Sequence, residues 1–119
     1  MKKLSTFLII LLLMSFTSVF AQEKLNVKGT WIMNVTSELG SGSPTFVLDQ
    51  ADDNTITGTY SGQLGESAVK GTLIGNAIHL EFDIQGNLIE YDGTLTGAEM
   101  SGKVKFASMG EGSFTGKKK

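Results

Sequence analysis

The chain has 119 residues, no cysteine and one histidine, and carries a formal charge of −2 at pH 7. Without cysteine there is neither a disulfide nor a thiolate metal shell. With no arginine, and with its only basic cluster at Lys117 to Lys119, the chain lacks the clustered cations that phosphate recognition needs, so nucleic acid is not an expected partner.

The N-terminus reads Met1-Lys2-Lys3, then an apolar stretch from Leu4 to Phe16, then Val19-Phe20-Ala21 before Gln22. A basic start, an apolar middle and small residues at the last and third-last positions form a secretory signal peptide, expected to span residues 1–21. The alternative is an uncleaved anchor, but the apolar run is shorter than the ~20 residues of a spanning helix. No stop-transfer charges follow it. The mature chain, residues 22–119, is then expected to be a single soluble domain, periplasmic or extracellular, with no membrane span after cleavage. It holds eight lysines against twelve carboxylates. With no cysteine behind the signal, lipid attachment there is not expected.

Beyond the signal no apolar stripe recurs at helical spacing, whereas alternation by twos is continuous, the mark of half-buried strands. Trp31, Met33 and Val35 share a face, as do Phe46 and Leu48, then Ile56, Gly58 and Tyr60, then Val69, Gly71 and Leu73. Ile78, Leu80, Phe82 and Ile84 follow, then Ile89, Tyr91, Gly93 and Leu95, then Met100, Gly102, Val104 and Phe106, and finally Phe114. Eight strands result.

Candidate turns fix a provisional register. Asp52-Asp53-Asn54, with Asn54 left-handed, pairs Phe46 with Tyr60 and Leu48 with Gly58. Gly75-Asn76, Gly86-Asn87 and Gly97-Ala98 are candidate two-residue hairpin loops. They set Lys70, Glu81, Asp92 and Lys103 in one outer row and Asp83, Glu90 and Lys105 in another. Inside, they give the rows Val69–Phe82–Tyr91–Val104 and Leu73–Ile78–Leu95–Met100. A third row reads Gly71, Leu80, Gly93 and Gly102, with Gly58 continuing it. Glycines so placed let a sheet coil and close, and closure removes the edges of an open sheet. The expected fold is all-β, an eight-stranded antiparallel up-and-down barrel of meander topology; a two-sheet sandwich is the alternative.

The opening Gly29-Thr30-Trp31, followed by seven more short strands across the mature chain, resembles the calycin superfamily of lipocalins, fatty-acid-binding proteins and avidins. It is most similar to small secreted bacterial lipocalin-like barrels. In lipocalins the tryptophan packs under a basic residue of the last strand, and the resemblance implies Lys117 for that place. Thr57-Gly58-Thr59-Tyr60 is similar to avidins, but Trp31 is the only tryptophan, so biotin binding is rejected. Some small secreted barrels with this opening inhibit extracellular proteases by inserting their N-terminal segment, which here would be Gln22 to Val27.

Trp31, Phe46, Tyr60, Phe82, Tyr91 and Phe106 are expected to line the interior. In so small a barrel they either fill it as core or surround a narrow cavity for an apolar molecule. The hydroxyls of Tyr60 and Tyr91 are the polar handles, and no inward charge is set to meet a fatty-acid carboxylate. The Gly- and Ser-rich stretches Glu38 to Pro44, Ser61 to Glu66 and Ser108 to Glu111 read as loops long enough to carry recognition.

His79 is expected on the wet face between Thr72 and Thr94, with no serine or carboxylate placed to build a catalytic set. Glu81, Asp83, Glu90 and Asp92 form a carboxylate patch beside Lys70, Lys103 and Lys105 and read as salt-bridged surface rather than a calcium site. Asp49, Asp52, Asp53 and Asn54 lack the glycine and glutamate of a calcium loop. The functional expectation is therefore a carrier of a small apolar molecule. A protein-binding or inhibitor barrel facing a secreted protein is the alternative, and no enzymatic activity, metal or cofactor is expected.

Overall fold

The computed structural model describes residues 25–119; the proposed signal segment and Gln22 to Lys24 lie outside the described residues. Strands make up nearly all of it: β1 (Gly29–Ser37), β2 (Gly40–Gly42), β3 (Thr45–Gln50), β4 (Thr55–Gly62), β5 (Gly65–Ile74), β6 (Ala77–Ile84), β7 (Asn87–Thr96), β8 (Glu99–Phe106) and β9 (Glu111–Lys118). Every sequential pair from β3 to β9 is antiparallel, and β9 returns to pair with β1, closing the sheet. No helix long and apolar enough to cross a membrane occurs among the described residues.

β2 and β3 are two parts of one strand. Ser37 faces Gly40 and Val35 faces Gly42, and the same register against β1 continues through Ile32 opposite Thr45 to Gly29 opposite Leu48. The break falls at Ser43-Pro44, where proline has no N–H to offer the ladder and the Pro44 carbonyl instead accepts from the Met33 amide at 3.0 Å. Counted this way, the protein is the closed eight-stranded meander that the alternation predicts.

Turn chemistry corrects the register at one hairpin. Gly75 and Gly97 have φ of 60° and 61°, glycine standing where the first residue of a two-residue loop needs positive φ, and Lys70–Glu81, Leu73–Ile78, Tyr91–Val104 and Asp92–Lys103 pair as the sequence implies. Between β6 and β7 the loop is Gln85-Gly86, both residues at positive φ (53° and 84°), the type I′ arrangement. β6 therefore slides by two residues against β7. Glu81 faces Glu90, His79 faces Asp92, Leu80 faces Tyr91, Phe82 faces Ile89 and Ile78 faces Gly93. Glu81–Asp92, Asp83–Glu90, Phe82–Tyr91, Ile78–Leu95 and Leu80–Gly93 are therefore not ladder partners as expected, although the rings of Phe82 and Tyr91 still meet, 6.0 Å between centroids.

β4 sits two residues from its expected place on β5, with Gly58 opposite Val69 and Gly71 opposite Ile56. The glycines keep only parts of the expected row, Gly71 opposite Leu80 and Gly93 opposite Gly102, because both slips break it. Their reason is close approach of backbone: a Cβ on Gly71 would overlap the His79 carbonyl oxygen and one on Gly93 the Ser101 carbonyl oxygen. The turn Asp52 to Asn54 forms as expected, with Asn54 at φ 68° and Phe46 opposite Tyr60.

The barrel's two ends differ. At the base, each turn is tied to a strand beyond its own hairpin: the amides of Leu73, Leu95 and Lys118 donate to the carbonyls of Asn54, Asn76 and Ala98, and Lys119 donates to Thr30. Val27 plugs this end, wholly buried. Its carbonyl accepts from the Trp31 indole at 2.8 Å and its amide donates to Gln50 Oε1 at 2.9 Å. Lys118, not Lys117, lies over the Trp31 ring, its Nζ 5.7 Å from the centroid, because the register sets Lys118 opposite Trp31.

Candidate ligand-binding mouth

The lower and middle interior is packed. Trp31, Met33, Phe46, Ile56, Leu80 and Val104 are fully buried. Phe46 is the hub of an aromatic cluster, meeting Tyr60, Phe82 and Tyr91 edge-on at centroid distances of 5.4, 5.8 and 5.1 Å. Tyr60 stacks on Phe82 at 4.3 Å, and Tyr91 leans on Phe114 at 5.0 Å. Edge-to-face and offset contacts of this kind add to apolar burial, so the cluster forms a rigid floor.

Above it, at the end bearing the turns Glu38-Leu39, Gln63-Leu64, Gln85-Gly86 and Ala107 to Met109, a cavity of about 210 Å³ opens. Val35, Leu39, Leu64, Phe106 and Met109 form its apolar walls, and Tyr60 and Tyr91 lie at its depth. Ser37, Ser41, Ser43 and Gln63 also line it. Three of the six aromatic residues singled out from the sequence, Tyr60, Tyr91 and Phe106, border this cavity; Trp31, Phe46 and Phe82 stand in the packed interior.

Sequence reading did not single out Leu39, Leu64 and Met109, which sit at turn positions where an alternation pattern is silent. They are 64%, 46% and 51% exposed. Water on large apolar side chains is unfavourable, and here three of them ring one opening. The stretches around them are not long loops: Glu38-Leu39 and Gln63-Leu64 are two-residue turns, with Ser37 opposite Gly40 and Gly62 opposite Gly65. The third turn, Ala107 to Met109, is closed by the Phe106 amide donating to the Gly110 carbonyl at 2.9 Å. Of the N-terminal segment Gln22 to Val27, its last residue, Val27, is buried and hydrogen-bonded to Gln50 and Trp31.

Burial pushes the Tyr91 phenol far above its ordinary range, and the neighbouring Tyr60 adds to that. Burial raises Tyr60 too, opposed by a hydrogen bond to the Leu64 backbone. Both phenols are neutral at physiological pH and offer hydroxyls to whatever occupies the mouth.

The two-residue slip changes the surroundings of His79 on the outer face. Thr72 faces it as expected, but on the other side stands Asp92, not Thr94. Nδ1 is 2.6 Å from Asp92 Oδ1 and Nε2 is 3.0 Å from Glu81 Oε1. Burial pulls the imidazole pKa down, but the hydrogen bonds and charges of Asp92 and Glu81 outweigh it, and the net direction is up. Two carboxylates of the expected patch thus sit against His79, where none was expected. With both ring nitrogens held by carboxylates, neither is left for a nucleophilic hydroxyl. His79, Glu90 and Asp92 also bring one ligand atom each within 4.8 Å of one another, with the imidazole nitrogens engaged by Asp92 and Glu81.

No protein-family model matches the sequence, and no curated protein does. Among solved structures, the fatty-acid-binding protein 1 of Echinococcus granulosus is similar to this chain at 12% identity and a TM-score of 0.49, covering 76% of this chain and 96% of that one.

Proposed function

We propose that this protein is an exported carrier that holds a small apolar molecule in the mouth of its barrel. The observation that carries the reading is the mouth itself: an apolar cavity over an aromatic floor, with the exposed side chains of Leu39, Leu64 and Met109 around it. The export part rests on the signal-like residues 1–21.

Capacity bounds the ligand. A cavity of ~150 Å³ admits benzene, so 210 Å³ has room for about eight carbons in proportion. This is smaller than the ~300 Å³ at which drug-sized sites begin. Eight methylenes at ~0.8 kcal/mol each contribute roughly 6 kcal/mol. Association costs of at least ~4 kcal/mol oppose this and leave about 2 kcal/mol; two hydrogen bonds to the hydroxyls of the mouth at ~1 kcal/mol each bring the affinity to about the millimolar range.

Native mass spectrometry of the protein purified from its own host tests the reading. With millimolar octanol added, a one-to-one adduct that is absent from a Leu39→Glu/Leu64→Glu variant that remains folded is the expected result. An empty barrel that instead retains one secreted protein would replace the carrier with the interaction reading.

A further inference from the structure

The ionic residues are not spread evenly along the barrel axis. At the base, Lys28 and Lys117 to Lys119 balance Asp49, Asp52, Asp53 and Glu99, and across the middle lie Lys70, His79 and Lys103 with Glu81, Glu90 and Asp92. The mouth end carries the rest: Glu38 in its turn, Glu66 beside Gly65, Asp83 just before the Gln85-Gly86 turn, and Glu111 opening β9, against Lys105 alone. Four carboxylates against one ammonium therefore lie at this end. None of the residues lining the cavity is cationic; its polar groups are hydroxyls and one amide.

From this charge complementarity we infer that the mouth selects a protonated amine bearing a short apolar chain or ring, and discriminates against carboxylates of the same size. The inference rests on the carrier reading above and names the class of its ligand. The apolar part would lie against Phe106, Leu64 and Met109 with the ammonium toward the rim. There Tyr and Ser oxygens can accept its hydrogen bonds, and the carboxylates hold a negative potential. A carboxylate headgroup meets the same field with the opposite sign and finds no cation in the site. A low-dielectric cleft edged by one sign of charge concentrates ligands of the other sign, and the field of such charges reaches about one Debye length, ~10 Å at 0.1 M salt. The expected preference is thus about tenfold at low ionic strength, and it shrinks as salt is added.

Calorimetric titration of the full-length mature protein at pH 7 with octylamine, octanol and octanoate tests this. The expected order is octylamine, then octanol, then octanoate, with octylamine displacing octanol. The spread should reach about tenfold in 20 mM salt, collapse in 0.5 M salt, and narrow in the Glu66→Gln/Glu111→Gln variant. Octanoate binding as tightly as octylamine overturns the inference and leaves the carrier reading standing. Octylamine binding without displacing octanol also overturns it, because the amine is then held on the outer surface. If none of the three binds at millimolar concentration, the carrier reading fails and the inference with it.

Discussion

Changing His79 to glutamine removes the one group whose charge ties β6 to β7 on the outer face. In the native protein its ring bridges Asp92 and Glu81 at 2.6 and 3.0 Å, and Glu81 directly faces Glu90, a like-charged pair that the imidazolium offsets. The side chains of His79, Glu81 and Asp92 are 31%, 29% and 53% exposed, so solvent screens both contacts. At 0.2 to 1 kcal/mol per exposed pair, the two together contribute about 1 kcal/mol. The folded pKa is raised above the ordinary 6.5. This stabilisation is therefore fully present below pH 6.5 and is lost as pH rises through the folded value. Urea unfolding followed by Trp31 fluorescence, at intervals from pH 6 to 9, should show wild type losing about 1 kcal/mol more than His79→Gln. In a domain of this size that is a melting shift of about 4–8 °C. Asp92→Asn should flatten the profile in the same way. If wild type and His79→Gln run parallel across this range, the bridging geometry is wrong; if wild type gains stability relative to the variant, the sign is.

Phe46→Ala should cost about 3–5 kcal/mol in chemical denaturation, because a fully buried hub of three aromatic contacts leaves a void the rigid wall cannot fill. Gly71→Ala should cost about 1–3 kcal/mol by the same measurement, since its methyl meets the His79 carbonyl, whereas Gly75→Ala, which meets open space at φ 60°, should cost about 1 kcal/mol from backbone strain alone. Trp31 emission should be blue-shifted and poorly quenched by iodide, and should stay unchanged when octanol is added, because the indole is at the base and not in the mouth.

The strands, their inward faces, the turn at Asn54 and the closed meander are legible from alternation and turn residues because a slip of one residue turns every side chain to the wrong face. A slip of two does not. Moving β6 by two residues against β7 leaves Leu80, Phe82, Ile89 and Tyr91 all inside, so apolar patterning cannot distinguish Gly86-Asn87 from Gln85-Gly86 as the loop. The choice is made by Gln85 accepting a left-handed conformation, and its consequence is the His79 bridge. The first part of the second wall strand was hidden for a different reason: Gly40-Ser41-Gly42 has no apolar side chain to alternate, so a segment continuous with β3 reads as a loop. The mouth was half legible. Tyr60, Tyr91 and Phe106 follow from the inward face, whereas Leu39, Leu64 and Met109 belong to turns, where only the barrel's closure shows that they converge.

The most direct test of the central claim is a nitrogen-15 NMR titration of the mature protein with octanol. The account predicts saturable shifts confined to the mouth, at Leu39, Tyr60, Leu64, Tyr91, Phe106 and Met109, with the base around Val27, Trp31 and Lys118 unmoved. Shifts centred on Trp31, or no saturable shift at millimolar octanol, would contradict it.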